Sequence, residues 1–407
     1  MKQTDVVISG GGMVGLTLGL ALAQSGVKTV IVDAAAASTI LDPHFDGRVS
    51  ALAYASVRML TVLDVWKDLA PHAQAIREIL VTDGVAGRPA SPFSLHFDAQ
   101  EVGAEALGHI AENRHIRAAL YGAVAACKNL ELIAPATVKN VKVESGGAVV
   151  LLENGSQIAA PLLIAADGRE SRLRGEMGIN VIGWSYPQTG IVATVEHEKP
   201  HNGVAYEHFL PSGPFAILPM TGNRSSLVWT EDKRKAPALL ALDEAGFNAE
   251  LSRRFGSHLG KTKSAGPRWS YPLSFHLARE FVRPRFALAG DCAHGIHPIA
   301  GQGLNLGLKD AAALAEVLLD AARLGRDIGA LDTLKRYERW RRFDSFALAA
   351  STDALNRLFS NDIAPLRHLR DLGLGIVDAI GPARRFFMRH AGGDIGKLPK
   401  LMKGEAA

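Results

Sequence analysis

The 407-residue sequence predicts an α/β fold with a Rossmann-like lobe, an inserted β-sheet lobe and a helical C-terminal region. Three observations predict it. Residues 5–9 form a short apolar run followed at once by GGGMVG, a helical pattern to about Ser25 and a second apolar run at 29–32. Two further apolar runs, 162–166 and 285–289, each lead to an acid, Asp167 and Asp291. Between them lies a β-rich insertion over about 179–273, in which residues 203–232 alternate with Gly and Pro punctuation, as strands do.

The first segment is the βαβ dinucleotide fingerprint in full context. Gly10 permits the tight turn, Gly12 lets a pyrophosphate approach the backbone, and Gly15 lets helix and strand pack closely. Asp33 closes the second strand, where a carboxylate accepts hydrogen bonds from a ribose. An acid there argues against a 2′-phosphate, so FAD or NAD is expected in this slot. After it come a loop with Arg48, a helix over 50–63, strand-like runs at 76–82 and 91–98, and a helix over 111–127 bearing Arg114. Strands follow at 130–133, 138–143 and 148–152, then the acid and glycine Asp167-Gly168. Alternation returns over 203–232.

The richest stretch is GDCAHGIHPIAGQGLNLGLKD, residues 290–310. A strand delivers Asp291, the chain turns at Pro298, Gly301 and Gly303, and a helix runs from Leu304 to Gly325. The free amides of that helix start suit a planar cofactor that becomes anionic on reduction.

Composition narrows the function. Hydrophobic content of 47% with 21% charged residues is that of a globular enzyme. Cys127 and Cys292 fit no disulfide or metal framework, so a reducing compartment and no metal are expected. The chain opens on a strand rather than a signal pattern, and its longest apolar runs, such as 16–23, are too short to span a bilayer. Net charge is +4, yet residues 335–407 hold fourteen Lys/Arg against eight Asp/Glu, a local surplus of six. A basic tail of this kind is a solvated face, or it meets anionic lipid or an acidic partner. Nucleic acid is not expected, because basic and aromatic residues do not interleave.

GGGMVG with Asp33, ADGRESRLR (166–174) and residues 290–310 together resemble the single-component FAD-dependent aromatic monooxygenases. With AYEHFLPSGPFAILP (205–219) and STDALNRLFS (351–360), the likeness narrows to their ubiquinone-biosynthesis hydroxylase branch. That resemblance implies a glutathione-reductase-type FAD-binding lobe (1–75, 99–178 and 274–335), a β-sheet substrate lobe (76–98 and 179–273) and a helical basic region (336–407). It implies FAD as cofactor, NAD(P)H as reductant, and O2 with a polyprenylated aromatic as substrates, through a flavin C4a-hydroperoxide.

By the same resemblance, Gly10, Gly12, Met13, Gly15, Asp33, Arg48, Arg114, Val138, Asp167, Gly168, Gly290, Asp291, Pro298, Gly301, Gly303, Leu304 and Asn305 bind the cofactor. Pro298, Gly301 and Gln302 line the oxygen side of the cavity, and Glu207, Phe209, Phe215, Leu218 and Trp229 the substrate side. His294 and His297 flank the flavin loop. The family pattern more often has Glu at Asp33 and Ala at Cys292, which reads here as a small buried filler. The halogenase signature WxWxIP is absent.

The expected location is cytoplasmic or peripheral on the inner membrane, alone or in a quinone-synthesis assembly, with Phe386, Phe387, Met388, Leu398, Leu401 and Met402 at the contact. Two alternatives stay open. One is a hydroxylase of a small soluble aromatic, with Arg224 or Arg268 holding a carboxylate. The other is a non-catalytic flavin-binding component of such an assembly.

Overall fold

The computed structural model describes the chain apart from residues 43, 45, 88–90, 92–93, 362–363 and 394–395; for 300, 364–369, 371–372 and 390–391 only the backbone is described. Part of the strand expected at 91–98 thus lies outside the described residues, and the rest forms Ser94–Asp98.

One sheet is nearly all parallel, in the order 282–283, 286–288, 162–165, 6–9, 29–32 and 130–133. Strands Val6–Ser9, Thr29–Val32 and Leu162–Ala165 are buried at every position, as parallel strands covered on both faces must be. Helices Met13–Gln24 and Gly303–Arg323 pack together on this sheet. Val14 wedges between them, and a Cβ on Gly307 would come within 2.7 Å of it. This parallel register brings Gly10, Asp33, Asp167 and Asp291 to the same carboxyl edge. An open α/β sheet offers its ligand crevice along that edge.

The second large sheet has eight strands, including the 17-residue pair Val181–His197 and Thr262–Ala278. Its edge strand, His294–Gly295, belongs to the 290–310 stretch, so this sheet reaches the glycine-rich loop directly. Helix Glu244–Phe255 covers one face, burying Phe247, Leu251 and Phe255 against Ile191, Phe215, Leu227 and Trp229. Over the outer strands of the other face lie helices Ala364–Ala379 and Gly381–Ala391. There Leu374 and Met388 meet Leu95, Phe97 and Phe209, and the buried pair Arg370–Asp83 (2.9 Å) locks the contact.

Two helix expectations needed correction. Residues Val49–Ala53 are a strand paired with Gly108–Glu112, and helices begin only at Tyr54 and Asn113. Ala and Leu favour helix locally, but long-range pairing supplies the backbone partners and overrides that preference.

Candidate active site

The structure gathers the N-terminal fingerprint, Asp167 and the 290–310 loop into one site. Gly10 has φ +114°, and a Cβ there would meet the Ala166 carbonyl oxygen at 2.3 Å. A Cβ on Gly15 would meet the Gly10 oxygen at 2.0 Å. These two glycines are therefore required by the chain's own packing. At Gly12 and Gly303, by contrast, a Cβ would meet nothing within 4 Å. Each stands at the start of a long helix, Met13–Gln24 and Gly303–Arg323, with no side-chain cap and no acid in the first turn. Met13 and Leu304 follow directly. Uncapped amides at two open helix starts are ready-made anion sites.

Asp291 sits exposed in the short turn Gly290–Cys292, and its carboxylate pairs with no described residue. It is free to accept hydroxyls. Asp33 is partly engaged: Gly11 N–H donates to one oxygen, and Ala35 N–H to the other at 2.7 Å. The Asp33 carbonyl accepts Ala136 N–H, which brings the segment leading to Val138 beside it. The Val138 carbonyl accepts from Arg172, and its side chain is buried, so little of Val138 remains for a ligand. Asp167 accepts the Cys292 thiol at 3.0 Å. Burial first, and that carboxylate second, push the thiol well above its usual range. Cys292 is thus more than filler, because it ties the Asp167-Gly168 turn to the Asp291 turn.

Arg48 and Arg114, 66 positions apart in sequence, end at one sheet edge, where Asn113 N–H donates to the Arg48 carbonyl at 3.0 Å. Arg48 pairs with Asp46 at 2.7 Å, and Arg114 with the buried Glu112, also at 2.7 Å. Glu112 holds Arg224 as well, at 3.0 Å. Arg268 lies over the Phe247 ring at 3.9 Å and donates to the Leu242 carbonyl. Both arginines considered for a substrate carboxylate are therefore committed elsewhere.

Asn305 differs from expectation. Its amide donates to the Ala51 carbonyl and accepts from Ala53 N–H and the Ser56 hydroxyl, all within 2.9 Å. The side chain bolts the helix to the neighbouring strand, leaving only backbone for a flavin. Gly301 has φ +61°, and a Cβ there would lie 3.1 Å from the Ala51 methyl. Pro298 precedes that turn (Ile299–Gly301), and Gln302 follows it, largely buried.

The five substrate-side residues divide between two faces. Phe215 and Trp229 point into the core under helix Glu244–Phe255 and are almost wholly buried there. They cannot meet a ligand on the loop side, because side chains alternate along a strand. Glu207, Phe209 and Leu218 lie on the opposite face. Phe209 is stacked on Phe359 at 4.1 Å, while Leu218 packs in the cluster that includes Ala51.

Between them the register aligns Val81, Glu207, Ala216, Val228, Val192 and Trp269 in one row across five sheet neighbours. Solvent reaches Val81, Glu207, Val228 and Trp269, whereas Ser226 and Thr230, on either side of Val228, are buried. The row is therefore a partly solvent-reached strip on this face of the sheet. Its Trp269 end touches Gly47, next to Arg48. Glu207 is the one ionisable side chain in the row, and no described residue pairs with it. The side chain is half-buried rather than sealed off. Burial alone pushes its pKa up to about 8.

Asp310, which sequence reasoning gave no role, is the fully buried hub beneath the loop. It accepts Gly290 N–H (3.0 Å), pairs with His294 (2.5 Å) and pairs with Arg341 (2.8 Å). Burial opposes its ionisation, but the His294 and Arg341 charges and hydrogen bonds outweigh that and hold its pKa below the usual value. Asp310 sits one helical turn and a half beyond Leu304, on the buried stripe of its helix, and a lone acid in an apolar stripe was the available signal. His297 is fully buried with neither ring nitrogen hydrogen-bonded among the described residues; burial pushes its pKa down to about 4.

The FAD binding domain family matches residues 3–343. The chain belongs to that family. This FAD-binding chain is 48% identical over 407 residues to ubiquinone hydroxylase UbiL of Rhodospirillum rubrum, covering 99% of this chain and 93% of the relative. It is 35% identical to 3-demethoxyubiquinol 3-hydroxylase of Escherichia coli over 394 residues, covering 96% and 98%. With the human mitochondrial ubiquinone biosynthesis monooxygenase COQ6 it shares 32% over 443 residues, covering 95% and 92%. Its fold matches p-nitrophenol 4-monooxygenase PnpA of Pseudomonas putida with a TM-score of 0.79 at 19% identity, covering 98% and 100%.

The two open, uncapped helix starts and the unpaired Asp291 on one sheet edge fit a flavin dinucleotide in chemistry as well as in place.

Proposed function

We propose that this protein is an FAD-dependent monooxygenase that hydroxylates the aromatic ring of a polyprenylated phenol or quinone precursor in ubiquinone biosynthesis, with NAD(P)H as reductant and O2 as co-substrate. Gly12, Met13 and Gly15 hold the pyrophosphate, Asp33 the adenosine ribose, Asp291 the ribityl chain, and the backbone of Pro298, Gly301, Gln302, Gly303 and Leu304 the flavin ring. Bound there, FAD supplies the redox and oxygen-activating chemistry.

The chain's own residues do the rest. The amides at the Gly303–Arg323 helix start offer fixed dipoles to negative charge on the ring. The sheet strip of Ala216, Val228 and Val192 is flat and apolar, and holds an aromatic ring against the loop. Glu207 faces the ring hydroxyl and exchanges its proton, its raised pKa bringing it nearer to that of a phenol. The division into a cofactor lobe, a sheet-built substrate lobe and a helical C-terminal region follows from this assignment.

The observation that carries the reading is the joint at Ala51, which lies against the Gly301 turn on one side and in the Leu218 cluster on the other. Loop and strip thereby meet at one point. A small phenolic acid as substrate is disfavoured because Arg224 and Arg268 are already paired. We place the protein in the cytoplasm at the inner-membrane surface, where a prenylated substrate resides. No helix among the described residues is long and apolar enough to cross a membrane.

The test has two stages. Purified protein should be yellow and bleach with NAD(P)H under argon. The gene should then restore quinone synthesis, followed by mass spectrometry, in a strain lacking one ring hydroxylase. Reducible FAD without restoration in any such strain would overturn the substrate assignment, and colourless protein that takes up no FAD would overturn the enzyme.

A further inference from the structure

Helix Leu331–Phe359 buries a side of mixed polarity and exposes an apolar one. Its inner side, with Leu334, Tyr337, Arg341, Ser345, Ala349, Thr352, Asn356 and Phe359, is buried in the molecule. Its outer side should be polar if water covers it. Instead Phe343 is 73% exposed and Phe346 57%, with Leu355 and Leu358 exposed in the following turns.

Among the described residues from 339 to 359 the exposed charges are all cationic, Arg339, Arg342 and Arg357; three turns before Phe343 the same helix exposes Asp332 beside Arg336. The two carboxylates of this segment are engaged sideways, Asp344 with Lys309 and Arg341, and Asp353 with Tyr186 and Arg357. The Arg357 guanidinium lies 5.8 Å from the ring of Trp184, which is exposed on the adjoining strand together with Val181 and Ile182. Helix Gly381–Ala391 repeats the pattern with exposed Phe386, Phe387, Arg385 and Arg389. By contrast Met388, Leu398, Leu401 and Met402, which the sequence suggested for a surface contact, are buried.

We propose that the outer face of helix Leu331–Phe359, extended by Trp184, rests on an anionic lipid surface. Aromatic and aliphatic side chains with Arg336, Arg339, Arg342 and Arg357 around them, against one exposed acid, Asp332, match the acyl boundary and the headgroup charge together. A second copy fits less well, since a two-fold contact sets each patch against itself and so arginine against arginine.

The position has a consequence that rests on the function proposed above. On the flank of the same helix, Asp353 accepts from the Tyr186 hydroxyl at 2.8 Å, and the Tyr186 ring meets His297 edge-on at 5.2 Å, one residue before Pro298. Lipid and flavin loop are then separated by about one helix thickness, ~10 Å. A prenyl tail stays in the bilayer while its ring reaches the strip beside the loop.

The test is flotation of the full-length, FAD-loaded protein with vesicles, without substrate. It should float with phosphatidylcholine vesicles containing phosphatidylglycerol and much less with phosphatidylcholine alone. The double variant Phe343→Glu/Phe346→Glu should lose at least about tenfold in vesicle binding. Val143→Glu, an exposed site on the four-stranded sheet, should bind as wild type. Both variants should keep FAD and its reduction by NAD(P)H, so a failed docking face is separable from a failed enzyme assignment. Wild-type protein that ignores the anionic vesicles, or a double variant that floats as wild type does, would overturn the proposal. A wild-type dimer that the double variant dissolves would assign the face to a second copy instead.

Discussion

Replacing Gly12 with Val isolates cofactor binding from folding. At Gly12 φ is −71° and ψ 175°, extended backbone that a β-branched residue adopts readily, and a Cβ meets no atom within 4 Å. Unfolding free energy of the apoprotein should stay within about 0.5 kcal/mol of wild type, or rise slightly as the unfolded chain loses glycine's freedom. The valine methyls occupy the space in which we place the pyrophosphate. Losing two charge-assisted hydrogen bonds there, at roughly 1.5–3 kcal/mol each, costs about 3–6 kcal/mol, or roughly 10^2- to 10^4-fold in Kd. The assay is FAD titration of apoprotein by flavin fluorescence, with thermal melts recorded alongside. A variant of normal stability that binds FAD within about threefold of wild type would refute the placement. Neighbouring changes are less informative. Gly15→Val drives a Cβ to 2.0 Å from a carbonyl oxygen. Gly301→Val, the natural choice from sequence, forces a β-branched residue to φ +61° beside Ala51, so lost flavin could reflect a distorted loop.

Two further predictions concern buried charge. Asp310→Ala takes from the buried Arg341 guanidinium its buried partner, leaving it only the half-buried Asp344, and releases Gly290 and His294. It should cost about 3–5 kcal/mol by urea unfolding, and a loss below about 1 kcal/mol would show that the hub is not structural. Glu207 gives stability a pH signature. Its pKa is about 8 in the folded protein against an ordinary 4.5, so between those values the folded state holds a proton that the unfolded chain has released. Stability from this group is therefore greatest at low pH and falls as pH rises through the window, by at most about 1.4 kcal/mol per pH unit. Glu207→Gln should flatten the decline in melting temperature between pH 5 and 8; parallel curves for the two proteins would contradict the raised pKa.

The sequence by itself determined the parts whose meaning is local. A strand, a glycine turn, a helix and a terminal acid within residues 5–33 admit few other arrangements, because glycine spacing and hydrophobic period act over a handful of residues. The same holds for Asp167, Asp291 and the helix after Gly303. Tertiary structure decided what depends on a distant partner. The sequence reading puts Phe215 and Leu218 together on the substrate side; they lie on opposite faces of a strand, and only helix Glu244–Phe255 decides which face is core. The strand at Val49–Ala53 exists because Gly108–Glu112 lies beside it. Arg224 and Arg341 are rich in donors as sequence, yet their roles follow from Glu112 and Asp310, each brought near by the fold. The outer face of helix Leu331–Phe359 is the clearest case, for Arg341, Ser345, Thr352 and Asn356 face inward while Phe343 and Phe346 face out, and only packing decides that inversion.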